Sequence, residues 1–140
     1  MLKVRILVVD DVAFWREFVC SKLESEPSFE VICEVVDGRQ AVVMAERLQP
    51  TIALMDVGLP ELCGIDAAVE IRKCAPNCRI LFLTEQCDSD VVQAALDAGC
   101  GYVLKSDAAT DLVAAIHSVS RGHMFISRQL AGLGLEGECQ

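Results

Sequence analysis

Val4-Arg5-Ile6-Leu7-Val8-Val9-Asp10-Asp11 is the stretch whose reading decides how this chain folds. Residues 4–9 are mostly apolar and rich in β-branched side chains, the composition of a strand covered on both faces of a sheet. The run stops at two adjacent acids, which an apolar core would not accept unpaired. The same event recurs along the chain. Asp56 follows the apolar run 52–55, Thr84 follows 80–83, and Lys105 follows 102–104. In an open parallel α/β sheet, ligands bind outside the carboxyl ends of strands, where strand order reverses. Three carboxylates, a hydroxyl and an ammonium gathered there describe a metal-dependent phosphoacceptor.

Between these runs the pattern turns helical. Helices are expected over 12–24, ending before Pro27; over 39–48, stopped by Pro50; over 65–73; after a cap at Asp88 or Ser89 and up to Gly99; and over 109–120, before Gly122. A second strand over 29–36 closes at the Asp37-Gly38 turn pair. This alternation implies right-handed crossovers and a parallel sheet with helices on both faces. Residues 132–140 contain three glycines and no period, and read as a frayed tail.

At 140 residues the chain is one domain with room for a core, which 53% hydrophobic but only 5% aromatic residues make aliphatic. A net charge of −9 argues against a nucleic-acid footprint, which needs a basic face. It suits a soluble protein that meets a cation or a basic partner, solubility alone being the plainer explanation. No run approaches the roughly 18 apolar residues of a membrane span, and the N-terminus lacks a cleavage site, so a cytoplasmic location is expected. The eight cysteines are scattered; Cys20, Cys33 and Cys100 lie inside apolar patterns and read as reduced, buried small hydrophobes. Cys74 and Cys78 are separated by Pro76 and joined by no histidine, so they do not read as a metal site.

The acids form a hard-cation site. Mg²⁺, or Mn²⁺ in its place, takes oxygen ligands, few of them protein carboxylates, and keeps waters. Alone, Asp10-Asp11 would be a strand-end turn or helix cap and Thr84 a β-branched strand end. Together with Lys105 at the same sheet edge they acquire roles. Repulsion among three carboxylates raises their proton affinity unless cations offset it. A divalent ion and the Lys105 ammonium provide that offset and keep Asp56 ionised as a nucleophile. Phosphoryl transfer depends chiefly on alignment and charge neutralisation.

These residues resemble the receiver domain of bacterial two-component response regulators, over about residues 3–127. The motifs are Val8-Val9-Asp10-Asp11, Met55-Asp56-Val57-Gly58-Leu59-Pro60, Leu83-Thr84 and Gly101-Tyr102-Val103-Leu104-Lys105. Residues 58–62 and 102–106 look most like the LuxR-type branch. The resemblance implies a flavodoxin-like (βα)5 fold, five parallel strands in order 2-1-3-4-5. It implies that Asp56 accepts phosphoryl from a partner histidine kinase or phosphotransfer protein. Asp11, Asp56 and the backbone carbonyl of Gly58 would ligate the metal directly, Asp10 largely through water. Lys105 would contact the phosphoryl group, Thr84 would move toward it, and Tyr102 would turn inward behind Thr84. The protein would not be an enzyme beyond self-phosphotransfer and slow self-dephosphorylation. Domain limits of 1–127 for the receiver and 128–140 for a short tail follow. LuxR-type regulators usually add a helix-turn-helix domain, for which the residues after Gly122 are too few; a stand-alone receiver or a piece of a longer transcriptional regulator is expected, with direct DNA binding by neither.

Two positions depart from the family pattern: Ser106 stands where proline often follows the lysine, and Glu85 where a small residue often follows the threonine. Gly58, Glu85 and Gln86 are candidate modulators of the site. The alternative reading is a receiver-like interaction module that does not turn over phosphate. Two enzyme or cofactor readings fail on single residues. A haloacid-dehalogenase-type phosphatase needs an acid where Gly58 stands, and a flavodoxin needs a phosphate loop where Asp11-Val12-Ala13-Phe14 stands. The GxGxxG match at Gly132, Gly134 and Gly137 joins no strand to a helix and is a chance one. His117 and His123 read as surface residues.

Two surface expectations complete the reading. At about 100° per residue, Val12, Trp15, Val19 and Leu23 share the arc facing the sheet, leaving Phe14 and Phe18 as flanking core or a docking patch for the kinase or a second subunit. Ala94, Ala95 and Ala98, with Ala114 and Ala115, are expected on a face between the last two helices through which a phosphorylation-dependent homodimer or other partner could associate.

Overall fold

The computed structural model describes residues 3–133. Strands β1 (Val4–Val9), β2 (Phe29–Val35), β3 (Ile52–Met55), β4 (Arg79–Thr84) and β5 (Gly101–Leu104) alternate with helices α1 (Ala13–Glu24), α2 (Gly38–Leu48), α3 (Gly64–Cys74), α4 (Ser89–Ala98) and α5 (Ala108–Ser120). The strands are parallel, and their order 2-1-3-4-5 is the expected one. The sequence reading stopped there, whereas a two-residue strand β6 (Phe125–Ile126) adds a sixth member beside β5. No described helix is long and apolar enough to cross a membrane.

The helices cover the two faces of the sheet with separate aliphatic layers. Val19 and Leu23 of α1 and Leu112, Ile116 and Val119 of α5 pack on Ile6, Val8, Leu54 and Leu81. Ala41, Ala45, Ile71, Val92 and Leu96 of α2, α3 and α4 pack on Leu7, Met55, Phe82 and Tyr102. Alternate residues of each central strand therefore point to opposite layers, which is why β1, β3 and β5 read as continuous apolar runs.

Local chemistry sets the element ends. Asp37 caps α2 by accepting from Gln40 N–H at 2.8 Å, and Asp88 caps α4 by accepting from Asp90 and Val91 N–H. Gln49 ends α2 in the left-handed region at φ 48°, and its side chain donates to Glu46 O at 2.8 Å. The segment after α5 is held against the sheet. Ser127 is fully buried, its N–H donates to Tyr102 O at 2.9 Å, and its hydroxyl accepts from Leu104 N–H at 2.9 Å. Leu130 follows into the α2–α4 layer at 2% exposure. Most of the glycine-rich stretch, residues 134–140, lies outside the described residues.

Two expectations about helix faces are corrected. Val12 is not part of α1: it is the extended N-cap (φ −100°, ψ 114°) and 43% exposed. The turn in which Val12 N–H donates to Asp10 Oδ1 keeps Val12 extended, so the helix begins at Ala13. Ala95, Ala98 and Ala115 are buried in the core layers, so only Ala94 and Ala114 of the expected alanine face are exposed. Their small size lets α4 and α5 approach the sheet closely rather than receive a partner.

Candidate functional site

The carboxyl edges of β1, β3, β4 and β5 bring four of the expected groups to one place. Asp10 leaves β1, and its Oδ1 accepts from Val12 N–H at 2.9 Å, a turn that fixes its rotamer. Asp56 leaves β3, and its Oδ1 accepts from Gly58 N–H at 3.2 Å. Lys105 leaves β5 and reaches Asp10 Oδ2 and Asp56 Oδ2, both at 2.9 Å. The three side chains are 4%, 7% and 13% exposed for Lys105, Asp10 and Asp56, so this ion triad is nearly shut off from water. Asp11 is exposed at its rim.

Gly64 makes this geometry possible. Its N–H donates to Val57 O at 2.7 Å, and a Cβ there would stand 2.1 Å from Asp56 O. Only glycine lets the first turn of α3 press against the backbone of Asp56. The loop after β3 thus has a steric reason for ending where α3 begins.

The electrostatics follow from burial. Burial pushes the Asp10 carboxyl above the usual aspartate value, further than its hydrogen bonds from Lys105 and Val12 pull it down. Burial alone would lower Lys105, but the hydrogen bonds and charges of Asp10 and Asp56 more than reverse it, holding the ammonium above the ordinary lysine value. Asp10, Asp11 and Asp56 offer carboxylate oxygens all within 4.8 Å of one another. Three hard donors at that spacing, with one face open at Asp11, fit a small divalent cation that keeps part of its water. They are the only such group of acids, cysteines or histidines among the described residues, and Cys74 and Cys78 take no part in one.

Thr84 and Tyr102 form a second polar layer behind the triad. Thr84 is 1% exposed, and its Oγ1 accepts from Gln86 N–H at 3.3 Å. Tyr102 is fully buried, turned inward, and its hydroxyl donates to Gln86 O at 2.8 Å. Gln86 therefore bridges the two through its backbone, while Glu85 points to solvent. The Lys105–Ser106 peptide is trans, as are all described peptide bonds.

Sequence reading missed three neighbours of the site. Arg16 donates Nη1 to Asp10 O at 2.8 Å and lies 3.8 Å from Glu34. Gln129 donates to Asp107 Oδ1 at 2.6 Å, tying the C-terminal segment to the turn after Lys105. Trp15, half-buried in the first turn of α1, places its ring under the Lys105 ammonium, 4.9 Å from Nζ to centroid. Each contact joins residues far apart in the chain or depends on where α1 begins, so no local pattern announces it. His117 also does more than face solvent: its ring packs on Phe29 at 4.8 Å and its Nε2 lies 3.7 Å from Glu26.

A doubly wound sheet with an acid pair, a third acid and a lysine at its carboxyl edge defines the receiver class of domain. The family model for the response regulator receiver domain matches residues 6–117, and the chain belongs to that family. Response regulator protein VraR of Staphylococcus aureus is 34% identical over 122 residues, which cover 86% of this chain and 58% of VraR. The chain thus spans little more than half the length of such relatives. Among solved structures, a two-component response regulator of the LuxR family from Aurantimonas superposes with TM-score 0.87 at 33% identity, over 92% of this chain and 93% of that one. The receiver domain of NarL from Mycobacterium tuberculosis gives TM-score 0.83 at 30% identity, over 88% of this chain and all of its own. These relatives place the chain in the LuxR-type branch.

Proposed function

We propose that this domain is a phosphorylation switch in which Asp56 accepts a phosphoryl group from a histidine kinase or phosphotransfer protein. The observation that carries the reading is the buried Lys105 ammonium shared between Asp10 and Asp56. A structural ion pair would need one carboxylate; a second one, plus Asp11 at the rim, adds repulsion that only a cation-dependent chemistry explains. Asp10, Asp11 and Asp56, with the Gly58 carbonyl, would hold Mg²⁺ or Mn²⁺, which neutralises charge on the transferring group.

In the transfer, an Asp56 carboxylate oxygen forms the new bond to phosphorus. The bond from phosphorus to the donor's imidazole nitrogen breaks, and its electron pair returns to the ring, which takes up a proton from water. Lys105 holds the attacking carboxylate in line and then meets the new phosphoryl oxygens. Thr84 gives up its contact with the Gln86 N–H to donate its hydroxyl to the same group, and Tyr102 follows, since both are tied to Gln86. The domain itself does no further chemistry beyond slow loss of the phosphoryl group.

The kinase would dock on the edge of α1, where Phe14 is 65% exposed and Val12 43% exposed beside the site. The output, by likeness to the LuxR-type relatives, is transcription through a DNA-binding domain carried elsewhere in a longer protein, with self-association on phosphorylation and a cytoplasmic location.

Incubation with acetyl phosphate and Mg²⁺ should add one acid-labile phosphoryl group per chain, and Asp56→Asn should remove it. Asp11→Ala should lose the Mg²⁺ dependence. Undiminished labelling of Asp56→Asn would overturn the assignment, and an unlabelled wild type would favour the interaction module that turns over no phosphate.

A further inference from the structure

The Lys105 ammonium has three N–H donors and no acceptor. Two are committed to Asp10 Oδ2 and Asp56 Oδ2 at 2.9 Å each. With the side chain 4% exposed, the third side of the ammonium does not meet bulk water. It meets the Trp15 indole, whose centroid lies 4.9 Å from Nζ. A cation within about 6 Å of an indole face is attracted by the ring quadrupole, most strongly where both groups are desolvated.

The ring is itself held in place. Phe14 meets it edge-on at 5.3 Å and 87°, and Phe18 at 5.6 Å and 79°. The first turn of α1 is anchored to the site by Arg16, which donates to the backbone carbonyl of Asp10 at 2.8 Å. The residue next to Trp15 thus grips the backbone of the same aspartate that Lys105 holds.

We propose that Trp15 is a positioning residue for phosphoryl transfer: its indole face holds the Lys105 ammonium between Asp10 and Asp56 and closes that side of Asp56 to water. The role rests on the reading of Asp56 as phosphoacceptor. A lysine is a compact charge on a flexible four-carbon stem, and two carboxylates alone leave it free to swing toward solvent as Asp56 changes charge. The aromatic wall removes that freedom without adding a group that competes for the phosphoryl oxygens. It has two kinetic consequences. Phosphoryl transfer is faster because the cation is in place beforehand, and the acyl phosphate lasts longer because water has one fewer approach.

Trp15→Leu keeps apolar volume and removes the π face; Trp15→Phe keeps a π face. From acetyl phosphate at fixed Mg²⁺, Trp15→Leu should be phosphorylated about tenfold more slowly and lose phosphoryl several-fold faster, with Trp15→Phe recovering most of both. In a Lys105→Met background, Trp15→Leu should add little further loss, because the role runs through the lysine. A merely structural tryptophan would give additive losses there. Trp15 is the chain's single tryptophan, so its emission reads the contact without any change at position 15. Emission should shift on adding beryllofluoride with Mg²⁺, and the shift should vanish in Lys105→Met. Equal rates for wild type and Trp15→Leu, additive losses with Lys105→Met, or an emission shift indifferent to Lys105 would each overturn the role. A wild type that takes no label at all overturns the reading of Asp56 instead, and this role falls with it.

Discussion

At the amino end of the strands, Arg5 donates Nη1 to Gln49 O and Nη2 to Leu48 O, both at 2.8 Å, whereas at the carboxyl end Lys105 reaches Asp10 and Asp56 at 2.9 Å. Both are long cations on the sheet, gripping two oxygens each. What they grip differs. Leu48 and Gln49 end α2, and helix-end carbonyls need a donor in any sequence that folds this way. Arg72 does the same less tightly for Asp97 O and Ala98 O at the end of α4, both at 3.4 Å. The carboxylates at the other end are optional for folding. Apolar residues of similar volume would fill that space at no loss of stability, and often with a gain. The contacts at one end of the sheet are thus required by the fold, and those at the other are not.

Removing the cations should separate the two ends. Lys105→Met leaves two buried carboxylates facing each other and should cost about 3 kcal/mol of stability at pH 7, together with most of the phosphorylation rate. The loss should shrink in acid, where the Asp10 carboxyl, raised by burial, takes up its proton. The sign at high pH is also fixed. The folded-state value of Lys105 lies above the ordinary 10.5. Its contribution is therefore complete below about pH 10.5 and lost as pH rises through that raised value. Denaturant midpoints of wild type and Lys105→Met across pH measure both trends, and a variant as stable as wild type at pH 7 would erase the distinction.

Arg5→Met should cost less, about 1–2 kcal/mol, for two carbonyls that recover part of their hydration. That cost should be flat between about pH 5 and 9, since a guanidinium does not titrate there. Phosphorylation should proceed at the wild-type rate. Arg72→Met, with longer contacts on an exposed residue, should cost about 0.5 kcal/mol. A slowed phosphorylation in Arg5→Met would show the ends to be coupled rather than separate.

The sheet was legible because its signals are local. Each apolar run stops at a residue that cannot be buried alone, and Pro27, Pro50 and Gly99 punctuate the helices within three residues of their observed ends. The strand edges also revealed Asp10, Asp56, Thr84 and Lys105, since a parallel sheet delivers consecutive strand ends to one edge. What escaped the sequence was non-local. Ser127 becomes a buried polar residue only because β5 offers it the Leu104 N–H. Strand β6, three residues after Gly122 at φ 86°, is too short to carry a period. Ala95, Ala98 and Ala115 satisfy a small-residue surface pattern and a buried one equally, and packing chose the second. The Trp15 contact escaped because its cation lies at the end of a different strand, far along the chain.

A substitution that should stabilise the fold is the sharpest test of whether the carboxylate end is optional for folding. The Asp10 carboxyl is pushed above its ordinary 3.8, chiefly by burial, so the folded state disfavours its ionised form. An acid of that kind subtracts stability as pH rises from the unfolded value through the folded one, and the penalty is complete at neutral pH. Asp10→Asn removes the charge but keeps an acceptor for the Val12 N–H, and it leaves Lys105 paired with Asp56. The lost bond to Lys105 offsets part of the relief. We therefore expect Asp10→Asn to be more stable than wild type at pH 7 by roughly 0.5–1 kcal/mol, with the gain fading as pH falls through the raised Asp10 value, where the wild-type carboxyl itself becomes protonated. Chemical denaturation of the two proteins at several pH values reads the difference directly. Should Asp10→Asn instead lose as much as Lys105→Met, Asp10 would be a structural partner of the same kind as the Leu48 and Gln49 carbonyls, and the contrast between the two ends of the sheet would rest on Asp56 alone.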